Sequence, residues 1–300
     1  MKIAYIIIAH KNPLQLLRLI QRLQSNDAYF FIHIDKKVNL KEFQHTLKVL
    51  NNPHVTFIYP RENGRWGGIG VVKASLHAMH AIINHPDKID YVVALTGQCY
   101  PIKNVTQIED FYKENRDKNF MYTFPMPGKW SIKQMDRINR YHHFLKRSRV
   151  FPPYEEPTTI IGKIFNTALK AYFPLPRKQP IGIIPHGGSA FFNLNRTAVE
   201  NVLNFINTRP DFLKFHEYSL IPDEMFFQSI LCSSKDDIIL QSIVPEDLRF
   251  RFWESRYAAN PAVLKQKDYK MIVDSNQLFA RKFDTTIDST ILDMLDRQAA

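Results

Sequence analysis

Residues 3–35, IAYIIIAHKNPLQLLRLIQRLQSNDAYFFIHID, decide the fold class. An apolar run (3–9) ends at His10, Pro13 follows, and leucines and isoleucine recur at helical spacing over 12–25 before a second apolar run at 29–35. Apolar runs this short on either side of an amphipathic helix read as buried strands. Pro13 suits a first helical turn, where its missing N–H costs no hydrogen bond. The alternation continues with VTFIYP (55–60, strand), GGIGVVKASLHAMHAIINH (67–85, glycine-opened helix) and YVVALTG (91–97, strand). This interval predicts an α/β fold with a mostly parallel central sheet flanked by helices.

The 300 residues suit one domain with a substantial core, and the sequence shows no internal repeat. It divides into a nucleotide-binding half (1–118), an irregular insertion rich in bases and aromatics (119–186), and an acceptor and catalytic half (187–300). Within the insertion, TTIIGKIFNTALKAYFPLP (158–176) reads as an amphipathic helix. A core-facing helix is the expectation; the alternative lies on a membrane with Lys163, Lys170 and Arg177 at its polar edge. GSAFFNL (188–194) is expected as a strand after a Gly187-Gly188-Ser189 turn, RTAVENVLNFIN (196–207) as a helix, and PDEMFFQSIL (222–231) as a helix beginning at its proline.

Lys and Arg number 40 against 29 Asp and Glu, a net +11, with seven bases and one acid in 129–149. Such an excess suits an anionic partner: nucleic acid, an acidic membrane surface or a phosphorylated ligand. Cys99 and Cys232 lack metal-ligand spacing and imply a reducing, intracellular setting, with one bridge between them left open. No signal peptide or membrane span is predicted, so the expected location is cytoplasmic, with peripheral contact at an inner membrane as its extension.

In an open α/β sheet, ligands bind where strands lead into loops at their carboxyl ends. Those ends carry His10-Lys11, Asp35-Lys36-Lys37, Arg65-Trp66-Gly67-Gly68 and Thr96-Gly97-Gln98, which together favour a nucleotide-type ligand. P-loop, GxGxxG, HExxH and Cys/His signatures do not occur, and Ser189 has no nucleophile-elbow context. A diphosphate here would need cationic side chains, for which Arg249, Arg251, Arg256, Arg281 and Lys282 are candidates. Pro222-Asp223-Glu224 has two explanations. Proline and acids stabilise a helix start; a carboxylate there could also act as a general base. Spacing does not choose between Asp223 and Glu224.

Several stretches together resemble one family: YIIIAHKNPLQLLRLIQRL, FIHIDKK, RWGGIGVVKASLHAM, ALTGQCYPIK, GGSAFFNLNRTAVENVL, PDEMFFQSIL and LFARKFD. They are similar, in order and spacing, to the core-2/I-branching β-1,6-N-acetylglucosaminyltransferases and related xylosyltransferases, glycosyltransferase family 14. The resemblance runs from about residue 3 to 284, and PDE and LFARKFD are its most specific pieces. It implies a GT-A-type fold and inverting transfer from a UDP-sugar to a glycan or lipid-linked glycan hydroxyl, with N-acetylglucosamine the first expectation for the donor and xylose the second. It implies no divalent metal, and the chain contains no Asp-x-Asp pair. It also implies Glu224 as the base, Lys282 and either Arg249 or Arg251 at the diphosphate, Asp35 near the uridine, and Trp66 near the nucleotide or sugar; His10 joins the donor site by its place at the end of the first strand. Lacking the anchor and disulfides of mammalian members, the chain looks like a bacterial relative that builds a surface glycan. Cys99 stands where relatives often carry an acid. A basic nucleic-acid-binding or RNA-modifying protein is the alternative; under the resemblance nucleic acid is not a partner.

Overall fold

The computed structural model describes residues 1–128, 135–144, 150–151, 159–172, 177–255 and 260–298. In the first half β1 (Ile3–Ala9), α1 (Pro13–Leu23), β2 (Ala28–Ile34), α2 (Leu40–Lys48), β3 (Val55–Phe57), α3 (Gly70–Ile83) and β4 (Tyr91–Thr96) follow in turn. β1 pairs in parallel with β2 and β4, and β2 pairs in parallel with β3. Side chains alternate across β1: Ile3, Tyr5 and Ile7 meet Leu16, Leu19 and Ile20 of α1 on one face, and Ala4 and Ile6 join the core under Val72, Met79 and Ile82 of α3 on the other. Burial on both faces is why the strand reads as an unbroken apolar run.

The chain continues through β5 (Cys99–Pro101), α4 (Val105–Glu114), β6 (Asn119–Phe120), β7 (Thr123–Pro125), α5 (Asp136–Asn139), the hairpin strands β8 (His143–Phe144) and β9 (Val150–Phe151), and α6 (Ile160–Tyr172). Then come β10 (His186–Gly188), β11 (Asn193–Asn195), α7 (Arg196–Thr208), α8 (Pro210–His216), a 3-10 turn (Pro222–Glu224), α9 (Phe226–Cys232), α10 (Asp237–Ser242) and β12 (Ile243–Val244). The last elements are β13 (Arg249–Phe250), α11 (Tyr269–Val273), β14 (Phe279–Arg281) and α12 (Thr290–Gln298). Among the described residues the main sheet has the order β12-β6-β11-β4-β1-β2-β3, in which β11 runs against its neighbours β4 and β6. This is the mostly parallel, helix-flanked sheet expected of a GT-A-type fold. A smaller sheet, β13-β14-β5, packs beside the carboxyl end of β4.

Several expectations change. Gly187 and Gly188 form a strand, β10, antiparallel to β7, instead of a turn. Ser189 leaves that strand, and pairing to the main sheet resumes at Asn193. Helices α2 and α4 have Asn39 and Asn104 as N-caps that accept backbone N–H bonds, Asn104 within a reciprocal capping box with Gln107. The helix over 158–176 occupies Ile160–Tyr172; Ile160, Ile161 and Ile164 face solvent, while the side chains of Phe165, Leu169 and Tyr172, on which its core-facing reading turns, lie outside the described ones. Both cysteines are free thiols.

Two buried imidazoles couple the fold to pH. His216 lies among the rings of Phe212, Phe215 and Phe226 and is pushed down to about 3 by burial, with Arg177 adding to the shift. His33 accepts the Glu62 N–H at Nε2 (2.7 Å) and is pushed down to about 4, chiefly by burial. Each is neutral in the folded chain, whereas the unfolded chain takes up a proton from about pH 6.5 downward, the ordinary histidine value. Stability carried by these groups is therefore complete above that pH and lost progressively as pH falls toward 4. Thermal melts of His216→Phe should show a shallower loss between pH 6.5 and 4 than the parent. An unchanged slope would contradict this account.

Candidate active site

The loop after β1 brings His10, Lys11 and Asn12 to the sheet edge, with Asn12 in the left-handed region (φ 54). Lys11 Nζ pairs with Asp284, and Asn12 Nδ2 donates to the same carboxylate (2.8 Å). The Lys11 hydrogen bond, with help from Thr286 and Asn12 against burial, holds Asp284 well below the usual carboxylate range. Buried Gln15 of α1 strengthens the tie: its Nε2 donates to Gly97 O (2.8 Å) and Phe283 O (3.2 Å), and its Oε1 accepts from Thr285 N (2.9 Å). The LFARKFD segment is thereby fastened beneath the ends of β1 and β4. His10 is lowered by partial burial and by Lys11; Asp35 opposes the shift, and Lys282 adds to it. His10, Asp35 and Lys282 thus share one neighbourhood.

Asp35 is buried at the end of β2, where Oδ1 accepts from Lys37 N (2.8 Å) and Oδ2 from Gly64 N (3.1 Å). Arg61 donates to Lys36 O (2.7 Å) and Val38 O (3.1 Å), which folds the 61–64 loop over this strand end. A Cβ at Gly70 would stand 2.0 Å from Asn63 O, so that loop and the start of α3 meet only because the position is glycine. Trp66, 53% exposed, stands at the rim just before Gly67, whose φ of 76° turns the chain. Gly67 O then accepts the Ile221 N–H (2.8 Å), joining this loop to the PDE segment.

Ile221 itself has φ 54 and ψ 54, a left-handed conformation that costs a β-branched residue about 1–2 kcal/mol. Pro222–Glu224 form a 3-10 turn, and Met225 (φ −141) separates it from α9. Asp223 and Glu224 therefore do not sit in the first turn of an α-helix, and dipole complementation does not account for them. Glu224 Oε2 accepts from Arg137 Nη1 of α5 at 2.8 Å. The Arg137 side chain is buried, and that of Glu224 is 34% exposed. Asp223 is pushed up to about 7 by burial and by Glu224 alongside, against the pull of Arg137 and Arg281. The two neighbouring acids thus occupy different environments, as pairs with separate acid–base roles do. In the sequence Arg137 is one base of the 129–149 run, and no motif marked it. Lys129, Lys133, Lys146, Arg147 and Arg149 of that run lie outside the described residues, as does Arg256.

The small sheet gathers the other cations. Arg249, only 4% exposed, donates to Asn193 Oδ1 (3.1 Å), Asp247 O and Ala94 O, and lies 5.0 Å from the Phe191 ring and 5.1 Å from that of Phe279. Its guanidinium is committed to binding β13 to β4 and β11. Arg251 is paired bidentately with Asp247 (2.8 and 2.6 Å) and donates to Ser189 Oγ (3.0 Å). Arg281 stacks 4.7 Å from the Phe191 ring, and its buried Nε meets no hydrogen-bond partner among the described residues. Half-buried Lys282 has its pKa lowered by burial, then by Arg281 and Lys11, and no salt bridge engages its ammonium among the described residues. Asp223, which feels Arg281, and His10, which feels Lys282, close the circuit from base side to donor side. Among the described residues no three His, Cys, Asp or Glu side chains converge as a metal site.

Comparison with known proteins agrees in kind. The profile of the Core-2/I-Branching enzyme family matches residues 3–276. Xylosyltransferase 2 of Canis lupus familiaris is 27% identical over 317 residues, covering 98% of this chain and 33% of that protein. Xylosyltransferase 1 of Rattus norvegicus is 25% identical over 313 residues, covering 98% and 35%. The chain thus spans about a third of the length of these curated relatives. Among solved structures, apo mouse xyloside xylosyltransferase 1 aligns over 93% of this chain and 97% of that one, with a TM-score of 0.42 and 11% identity.

The geometry separates the two kinds of cation. Arg249→Met leaves Ala94 O and Asp247 O without this donor, leaves Asn193 Oδ1 with Tyr112 alone, and should cost about 3 kcal/mol or more, lowering Tm by about 5 °C or more. Lys282→Met removes an unpaired, half-buried charge and should leave Tm unchanged or higher. Calorimetric melts of the two variants check this; equal losses would contradict the division.

Proposed function

Because the chain belongs to the core-2/I-branching enzyme family, we propose that it is an inverting glycosyltransferase that moves a sugar from a UDP-sugar donor to a glycan hydroxyl without a resident metal. The observation that carries this reading is Glu224, held by Arg137 on a strained 3-10 turn whose neighbouring acid feels Arg281. In the reaction, Glu224 takes the proton of the acceptor hydroxyl through the carboxylate oxygen that Arg137 leaves open. The hydroxyl oxygen bonds to the anomeric carbon from the face opposite UDP, and the bond from that carbon to the diphosphate oxygen breaks. The electron pair leaves with UDP, where Lys282 and Arg281, with Arg251 behind them, meet the developing charge. Preplaced cations can supply there what a metal ion otherwise would, and the missing Asp-x-Asp pair is consistent with that arrangement.

His10, Asp35 and Trp66 frame the nucleotide side in this reading. The sequence expectation placed N-acetylglucosamine first as the donor sugar; the names of the xylosyltransferase relatives bring xylose level with it. A screen of both UDP-sugars by UDP release, with and without EDTA, should give turnover with one of them that persists in the chelator. Glu224→Gln should lower kcat by about 10²–10⁴-fold while UDP still raises the melting temperature. Full turnover in that variant would remove Glu224 as the base.

A further inference from the structure

Among the described residues α6 presents three exposed isoleucines close together: Ile160, Ile161 and Ile164 are 77%, 81% and 65% exposed. At 3.6 residues per turn these three and exposed Ala168 fall within an arc of about 100°. Exposed Lys163 borders that arc. In an ordinary surface helix such an arc faces the core, whereas here it faces out. A contiguous apolar strip on a surface marks an interaction site.

Charge identifies the partner. Between Glu156 and Glu200 the chain carries no acid, Lys163 and Lys178 there are exposed, and the whole chain is +11. An apolar strip with Lys163 at one edge and no acid nearby in the chain complements a surface that is both apolar in depth and anionic at its face, which is a bilayer with acidic headgroups. A second copy of this chain would set base against base.

The helix is also tethered to the body. Buried Arg177 donates to Phe215 O, Arg140 O (3.2 Å) and Ser219 Oγ (3.4 Å), and its guanidinium stacks on Phe215 (3.9 Å) and Tyr141 (4.5 Å). Its N–H donates to Asn139 O (2.9 Å), at the end of the helix that carries Arg137. The five residue steps from Tyr172 to Arg177 span at most about 18 Å. Arg177, five positions after the last residue of α6, is thus fastened to the segment that holds Glu224.

We infer that α6 docks the protein, lying in the interface plane, on an anionic lipid surface through Ile160, Ile161, Ile164 and their basic border. This goes beyond the catalytic reading and does not depend on it. Flotation of the full chain with vesicles of phosphatidylcholine plus phosphatidylglycerol, against phosphatidylcholine alone, tests it. The parent should float with the anionic vesicles, weakly with the neutral ones, and less as salt is raised. Ile161→Glu/Ile164→Glu should lose about tenfold or more of that binding, with an unchanged melting curve and UDP-induced shift. Lys163→Glu, a milder second variant, should lose several-fold. Failure of the parent to float, or flotation of the double variant at parental levels, overturns the inference. So does a parent dimer that the double variant dissociates without any lipid binding.

Discussion

The buried guanidinium of Arg249 is the joint on which the site depends. It reaches from β13 to Ala94 O on β4 and Asn193 on β11, and so fixes the small sheet against the carboxyl end of the large one. A charge that deep is tolerable only when most of its donors are used and rings cover its faces; Nη1 and Nη2 bond Asn193, Asp247 O and Ala94 O, Phe191 and Phe279 flank the guanidinium, and Nε alone meets no partner among the described residues. With β13 held there, Arg251 lies over Ser189, and β14 can present Arg281 and Lys282 under the strand ends. Tyr112, donating to the same Asn193 oxygen (2.9 Å), extends the joint to α4.

Backbone strain gathers around this frame. Three of the non-glycine residues with positive φ, Asn12, Ile221 and Leu248, stand directly beside His10-Lys11, Pro222-Asp223-Glu224 and Arg249. Each conformation is held from elsewhere: Asn12 by Asp284, Ile221 by Gly67 O, and Leu248 by the N–H groups of Leu278 and Phe279 bonded to its carbonyl. Strain that packing over-determines is a usual mark of positions kept for geometry. Here it aims a carboxylate from one side and cations from the other.

Much of the frame is legible in the residues themselves. Strands buried on both faces announce themselves as apolar runs, so β1, β2 and β4 fall where the sequence puts them. The small sheet is not legible in this way. Its strands are two or three residues long, too short for any period, and they pair across as many as 182 positions of sequence, as Arg281 does with Cys99. Arg137 is invisible for a related reason: a base in a basic run looks like a solvated face until the fold buries it against Glu224. Composition alone could not tell Arg249 from Lys282 either, because only burial separates a cation that holds the fold from one left unpaired. The α6 helix is legible as a helix, but its period does not by itself say that Ile160, Ile161 and Ile164 face solvent.

The excess of positive charge first suggested any of several anions. Under the proposed function, the neighbourhood of Lys282, Arg281 and Glu224 assigns part of that charge to a donor diphosphate. The central claim is that the donor diphosphate completes a set of cations the protein leaves underpaired. Calorimetric titration of UDP and of uridine into the parent and Lys282→Met tests it most directly. The parent should prefer UDP to uridine by about 100-fold or more, and the variant should lose most of that preference while binding uridine as before. Equal affinity of the parent for UDP and uridine, or a preference that survives the substitution intact, would contradict the account.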